Sequence, residues 1–518
     1  MGYIEPKRGT IRRKSTKAET KAVPPLVGGW NARDPLSAMD PTDAVQLDNL
    51  TPMDGGVELR PGSSEHADTI SGLYVESLMT YASPSATKQF AAATTAIWEI
   101  TSSGAATSSL TGLTNGRWQH AMFTLPSISH LACVNNSADG LRYYNGSGWS
   151  TASLTGGISN TALANVCVHM NRLWLCEDNS LDVYYLDLQA ITGAATKLET
   201  SSQFQRGGKV MAMASWTRDG GSGMDDVLAI ISSNGEVLVY SGTDPEDATT
   251  WAKVGLFAIP RPIGRRCAIK FGGDIAILTV QGLIPMSEVL QRASSAQSAV
   301  AITDKIKGAF ARAAGLYGSN HGWQIIEYPK RGLLIINVPV VERGTTHQYV
   351  MNTKTGAWCR WTGLDANVLG LSGDALYLGR SDGEVRVLDE AFDDVGIPID
   401  GLAVHAYNTY GDPRVKRWLR FQPQMHKPED YKPLVDLLLN FSPDVPSYSP
   451  PQSISTGWTW DPPTAWEDLT WGSEIFSTFD WLSISGHAVA GALVVAVSAD
   501  SPIQYNGGLV SYEAGGIY

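Results

Sequence analysis

Long apolar runs are missing from this chain. No stretch of about 18 apolar residues occurs, so no membrane-spanning helix is expected. The longest candidate, Ala488 to Val497, is too short and reads as a buried strand. Charge is scarce as well: only 17% of the 518 residues are Asp, Glu, Lys or Arg, while glycine is abundant at 52 residues. That is the profile of a turn-rich all-β protein rather than of helical bundles. The 43% of hydrophobic residues supply an ample core and argue against disorder. Cysteine is sparse and unpatterned. Cys133, Cys167, Cys176, Cys267 and Cys359 form no C-x-x-C and are odd in number. They predict neither a metal site nor a disulfide framework, only reduced, buried thiols from cytoplasmic synthesis. An apolar leader is lacking too, since the N-terminus is charged.

Chemistry-bearing motifs are equally thin. The nine histidines show no H-E-x-x-H, and there is no P-loop and no G-x-S-x-G elbow. The carboxylate pairs Asp225/Asp226 and Asp393/Asp394 read as surface loops rather than as an acid and a base. The loop Asp219–Asp226 offers oxygens for calcium but fails the EF-hand spacing. No catalytic residue, cofactor or metal ligand is assigned.

Basic charge is missing from the body but not from the N-terminus. The chain carries a net −12, the wrong sign for a nucleic-acid-binding body. Residues 1–25 hold Lys7, Arg8, Arg12, Arg13, Lys14, Lys17 and Lys21 against Glu5 and Glu19, a net of +5 that leaves −17 elsewhere. A basic arm on an acidic body is either a solvated tail or a docking element for an acidic partner or nucleic acid.

What is present is a recurring strand-and-turn unit. It runs through Leu141–Trp149, Asp178–Leu186, Ser233–Tyr240, Tyr349–Trp358 and Ser381–Leu388. Asn-Gly and Asp-Gly between β-rich runs are hairpin signals, because the turn needs positive φ. Blade-like runs are expected near 73–100, 118–150, 165–187, 210–257, 266–286, 321–362 and 366–390. The reading is a β-propeller of six or seven degenerate blades, without the Gly-His and Trp-Asp marks of a WD40 array. Such rings often close by completing one sheet with strands from both chain ends. One inserted helix is expected over Asp304–Leu316, capped by Thr303, with Ile306, Phe310 and Ala314 on its buried face.

The chain divides into a basic arm (1–27), a turn-rich segment (28–65), the propeller (66–400) and a C-terminal β domain (401–518). The last contains a Trp-rich stretch at 458–481. Its Trp458, Trp460, Trp466, Trp471 and Trp481 fit stapling of a thin β domain, a subunit contact, or sugar stacking.

One set of residues carries a family resemblance. Gly28-Gly-Trp-Asn-Ala-Arg-Asp-Pro35, Asp43-Ala-Val-Gln-Leu-Asp-Asn49 and Val57-Glu-Leu-Arg-Pro-Gly62 occur in this order. They resemble the opening of tail proteins from short-tailed bacteriophages, the nozzle or packaged-DNA stabilisation proteins. Tyr407-Asn408, Lys416-Arg417, the Trp-x-Trp-Asp run at 458–461 and Tyr512-Glu-Ala-Gly-Gly516 are similar to that family's end. The resemblance implies a non-enzymatic virion protein forming a sixfold ring below the portal and adaptor. It would retain packaged DNA and conduct it at ejection. Partners so implied are further copies of the chain, the adaptor and tail fibres or tailspikes, with DNA passing without sequence-specific contact. Six copies would carry about −72 charges, and an acidic tube repels phosphate. Interaction residues are expected at Arg8, Arg12, Arg13, Lys14, Lys17, Trp30, Arg33 and Arg60, and at Trp458, Trp460, Trp466 and Trp471. The runner-up is a host-surface glycan-binding or glycan-cleaving propeller. On the tail-protein reading the hole that matters lies between subunits, and each propeller axis is packed core.

Overall fold

The computed structural model describes residues 17–68, 73–135, 139–219, 224–291, 301–428, 431–453, 475–478 and 480–515. The protein is all-β and β-propeller-like, built from many small sheets. Each of the seven blade-like runs contributes three or four consecutive antiparallel strands. The first comprises Val75–Ala82, Thr87–Ala93, Ala96–Glu99 and Thr107–Thr111. The second begins at Gln119–Thr124, the third at Leu163–His169, and the fourth at Val210–Asp219. The fifth has three strands from Ala268–Phe271 to Gly282–Pro285, and the sixth begins at Gln324–Tyr328. The seventh runs Ala366–Ser372, Ala375–Arg380 and Val385–Ala391, and its fourth strand is Gly62–Ala67 from far upstream.

These sheets form because their strands have two apolar faces. In Met224–Ser232 of the fourth sheet, Leu228 and Ile230 point into a core shared with the third sheet. Val227, Ala229 and Ile231 point the other way, into the core of the fifth and sixth. The alternation is the period of two that a strand imposes on its side chains. The same split separates Leu173 and Leu175 from Trp174 and Cys176 in the third sheet. Large rings fill the gaps. Trp251 stacks on Trp174 at 5.6 Å and on Tyr240 at 5.4 Å between the third and fourth sheets.

The first strand of each sheet packs on the first strand of the next, in chain order. Val75–Ala82 meets Gln119–Thr124, and so on through the sixth sheet to Ala366–Ser372, which packs back on Val75–Ala82. The gap between the seventh and first sheets has its own filling of Ala67, Val75, Leu78, Val368 and Val385.

The rest of the chain does not form a body apart. Asp43–Asp48 pairs with Trp358–Thr362 on one side and Ile399–His405 on the other, extending the sixth sheet. Gly491–Ala499 and Leu434–Leu439 continue it to eight strands, and the short strands Gly29–Trp30 and Gln452–Ser453 bring it to ten. A seven-stranded sheet lies beside it, built from Lys416–Pro428, Gln504–Ala514, Leu482–Ala488, Ile475–Thr478 and three N-terminal strands, Glu19–Val23, Leu50–Met53 and Gly56–Leu59. One apolar core runs through both, from Val23 to Tyr512. Strands from the segment expected at 28–65 therefore cross into three sheets, because each completes a pairing that the later chain leaves open.

The expected helix starts later than its capping signal. A 3-10 turn covers Asp304–Ile306 and the α-helix runs Lys307–Tyr317. Thr303 makes no capping bond; its Oγ1 accepts the Leu283 N–H at 3.1 Å. Ile306, Phe310 and Ala314 are buried as expected. A second short helix, Met286–Gln291, was not signalled.

Gly62 tests the closing strand. A β-carbon there would run into the backbone of Asp393. Gly62→Ala is expected to lower the unfolding free energy by more than about 1 kcal/mol, read as a lower urea midpoint. Gly373→Ala, at a turn with open space around it but φ of +57°, serves as a comparison in which only backbone strain acts.

Candidate functional site

The expected interaction residues have three fates. Arg8, Arg12, Arg13, Lys14, Trp458, Trp460, Trp466 and Trp471 lie outside the described residues. Lys17 is exposed, just before the strand Glu19–Val23. That strand lies antiparallel on Gln504–Ala514, with Glu19 opposite Tyr512 and Val23 opposite Gly508. The basic arm is thus anchored at its base by a run of main-chain pairing.

Trp30 and Arg60 are buried, Arg33 lies at the surface, and all three make contacts within the chain. Trp30 is buried edge-on against Tyr349 at 5.4 Å, with the Arg360 guanidinium over its other side. Arg33 spans Asp34 and Asp304, both at 2.8 Å, and so clips the N-terminal segment to the helical turn. Arg60 is almost wholly buried and grips Asp394 with both terminal nitrogens. Its Nε donates to Asn49 Oδ1 at 3.0 Å and its Nη2 to the Thr362 carbonyl at 3.2 Å. Removing one partner from such a buried pair costs about 3–5 kcal/mol. Asp394, expected on a surface loop, is instead the buried counter-ion that locks the N-terminal segment to the seventh sheet.

Residues far apart in the chain also meet in the sheets that join the two ends. Lys416, Arg417 and Trp418 pair with Ala514, Glu513 and Tyr512. Arg417 reaches Glu513 at 3.7 Å, and Lys416 Nζ sits over the Tyr512 ring at 5.6 Å. Tyr407 packs on Phe441, and Val57 pairs with Tyr505.

The space between the first strands is not packed solid. A cavity of about 260 Å³ lies there. Every small sheet contributes to its wall through its first strand, from Leu78 and His120 to Ala268 and Val368. Its wall mixes small and polar side chains, such as Asn165, Ala212 and Gln324, with the apolar Leu78, Ile325 and Val368. One end widens into a second cavity of about 520 Å³, sharing Gln119, Arg265 and Arg266 with the first. Its wall holds an ion network that composition did not reveal. Glu76, 2% exposed, accepts from Arg117 Nε at 2.9 Å and from Arg343 at 3.0 Å. Arg117 also reaches Glu342 at 2.6 Å. Asp178 is shared by Lys209 at 2.8 Å and Arg265 at 2.6 Å. The one sequence signal was Arg265-Arg266, a doubled charge at a strand entry in a charge-poor chain.

Burial also sets the character of the thiols. All five cysteines are buried and free, and burial pushes Cys167 up to about 11 and Cys176 and Cys267 up to about 12. Thiols so displaced are poor nucleophiles. Among the described residues no cluster of three His, Cys, Asp or Glu side chains has metal-holding geometry.

Neither a protein-family model nor a curated protein sequence matches the chain. Solved structures do resemble it. A computationally designed protein shares 9% identity, with a TM-score of 0.36 over 62% of this chain and 99% of that one. BBS1N in complex with ARL6DN shares 10%, with 0.41 over 64% and 97%. Virginiamycin B lyase from Staphylococcus aureus shares 10%, with 0.37 over 63% and 97%. At such identities a likeness concerns fold alone.

Buried histidines set an acid limit on stability, His405 and His169 among them. His405 donates to or accepts from Tyr505 Oη at 2.7 Å, and His169 faces Ser215 Oγ at 2.9 Å. Burial pushes His405 down to about 3 and His169 down to about 4. The unfolded chain takes up these protons near pH 6.5, before the folded chain does. Their contribution is complete above about pH 6.5 and drains away as pH falls toward the folded values. Urea unfolding between about pH 6 and pH 4.5 should lose about 1.4 kcal/mol per pH unit for each such histidine. His405→Gln should flatten that slope by about one proton; an unchanged slope would remove His405 from the account.

Proposed function

We propose that this chain is a non-enzymatic structural protein of a short phage tail. Six copies form a ring, the nozzle below portal and adaptor, which retains packaged DNA and passes it at ejection. The observation that carries this reading is the meeting of the stretches that resemble the tail-protein family. Gly28–Pro35 pairs with Asp43–Asn49 through Gly29–Asp43 and Trp30–Ala44, Arg60 bonds Asn49, and Lys416-Arg417 pairs with Ala514 and Glu513 on the strand whose Tyr505 pairs with Val57. Stretches of the resemblance that lie far apart in the chain are thus joined through the strand Gln504–Ala514.

We also read the seven small sheets as blades of a closed seven-bladed propeller. In support, the first strands contact each other in a cycle, and Gly62–Ala67 completes the last sheet as an N-terminal strand would in such a ring. Each propeller would then be a wall segment of the larger ring, with the DNA path between subunits. A net charge of −12 per copy suits a wall along which phosphate slides. The anchored basic arm is the element that docks on the adaptor or on a neighbouring copy.

Two measurements test this. Mass photometry of the purified chain should show six 55.7 kDa copies, about 334 kDa, with an axial hole by electron microscopy. A strictly monomeric chain at micromolar concentration, and no ring with an adaptor present, would overturn it. Deleting residues 2–16 spares the strand at Glu19–Val23. It should leave folding intact while weakening attachment to the adaptor, read by co-sedimentation. Glycan-array binding by the intact chain would point to the surface-glycan reading instead.

A further inference from the structure

The wide end of the axial cavity is out of charge balance. Four cations line it, Arg117, Lys209, Arg265 and Arg266, against one lining carboxylate, Glu342. Behind them, Glu76 is shared by Arg117 and Arg343, and Asp178 by Lys209 and Arg265. The cations in this network outnumber the carboxylates they contact by five to three.

Arg266 accounts for the imbalance. Its Nη2 donates to the Glu76 carbonyl at 2.9 Å, Ser77 Oγ at 2.8 Å and the Trp118 carbonyl at 3.2 Å. None of these is a carboxylate. Its Nη1 is buried and has no hydrogen-bond partner among the described residues. Burial lowers this guanidinium to about 10, so it stays charged at neutral pH. Buried charges are ordinarily paired, because an unpaired one loses its hydration without compensation. A guanidinium with a free edge and a lysine nearby is the donor set that phosphate oxygens fit best. The adjoining space of about 520 Å³ has the volume of a small-molecule site. His321, also on this wall, is held neutral by burial and by Arg266, pushed down to about 3, so it adds a donor without adding charge.

We propose that this end of the axis binds a small phosphorylated molecule, with Arg266 as the buried anchor and Lys209 and Arg265 at the rim. The phosphate supplies the counter-charge that Arg266 lacks. Nothing in this assignment depends on the tail-protein reading; a propeller in any setting could use its axis so.

Isothermal titration of the full chain with inorganic pyrophosphate tests the proposal, at ionic strength held constant with sodium chloride. One saturable site per chain is expected at millimolar or lower concentration. Lys209→Ala should weaken binding about threefold to fivefold, since Asp178 keeps Arg265 as its partner. Glu342→Gln removes the lining carboxylate and should tighten binding by a similar factor. Opposite shifts from two rim variants are not what loss of folding would produce. Arg266→Gln should abolish binding, and its circular dichroism and melting curve show whether it folds. No saturable heat with the folded wild-type chain overturns the proposal, as does an affinity that neither Lys209→Ala nor Glu342→Gln moves.

Discussion

The architecture rests on one constraint: each small sheet is apolar on both faces. Val227, Ala229 and Ile231 demand a neighbour on one side, Leu228 and Ile230 on the other. A sheet of three or four strands cannot meet that demand alone. A linear stack would leave the outer faces of its first and last members in water. Fully burying one Val, Leu or Ile is worth about 1.5–3 kcal/mol, so several left exposed would cancel a domain's net stability. The shared filling between the seventh and first sheets removes that loss. The borrowed strand Gly62–Ala67 follows from the same demand, because a seventh sheet of three strands would leave the Val385–Ala391 edge unpaired.

The second organising element is polar. The apolar demand brings sheets together but does not fix how the chain ends dock. Arg60 does so by satisfying Asp394, Asn49 and the Thr362 carbonyl at once. Asn49 holds a positive φ of 54° and donates to Thr362 and to the Asp400 carbonyl. Three stretches of chain meet at these two side chains. Arg33 and Lys305 play a lighter version of that part at the helical turn, reaching Asp304 and Asp43.

Much of the small-sheet region was legible because its signals are local. Asn-Gly and Asp-Gly turns at Asn145-Gly146 and Asp382-Gly383 fix hairpins within a few residues, and Gly146 and Gly383 do take positive φ. The helix was placed by its apolar spacing but started too early, since Thr303 is spent on Leu283. What remained illegible depends on long-range pairing. Nothing local says that Asp43–Asp48 will sit between Trp358–Thr362 and Ile399–His405. Trp30 and Arg60 were expected as interaction residues alongside the resemblance, and nothing in their own segment signals that they are buried. Their burial comes from strands hundreds of residues downstream. The axial ion network escaped notice for the same reason, its members being spread from Glu76 to Arg343.

The borrowed strand also sets a schedule for synthesis. Gly62–Ala67 emerges from the ribosome long before Val385–Ala391, its only ladder partner in the seventh sheet. At about 5–20 residues per second the roughly 320 intervening residues take about 15–65 s to appear. Glu19–Val23 waits longer still, for Gln504–Ala514. Through that interval two β-edges stand open while the middle sheets are free to assemble. The nascent chain therefore passes through an open arc with unpaired strands at its early end. Its yield in a cell is governed by how well those edges are shielded from one another and from other chains.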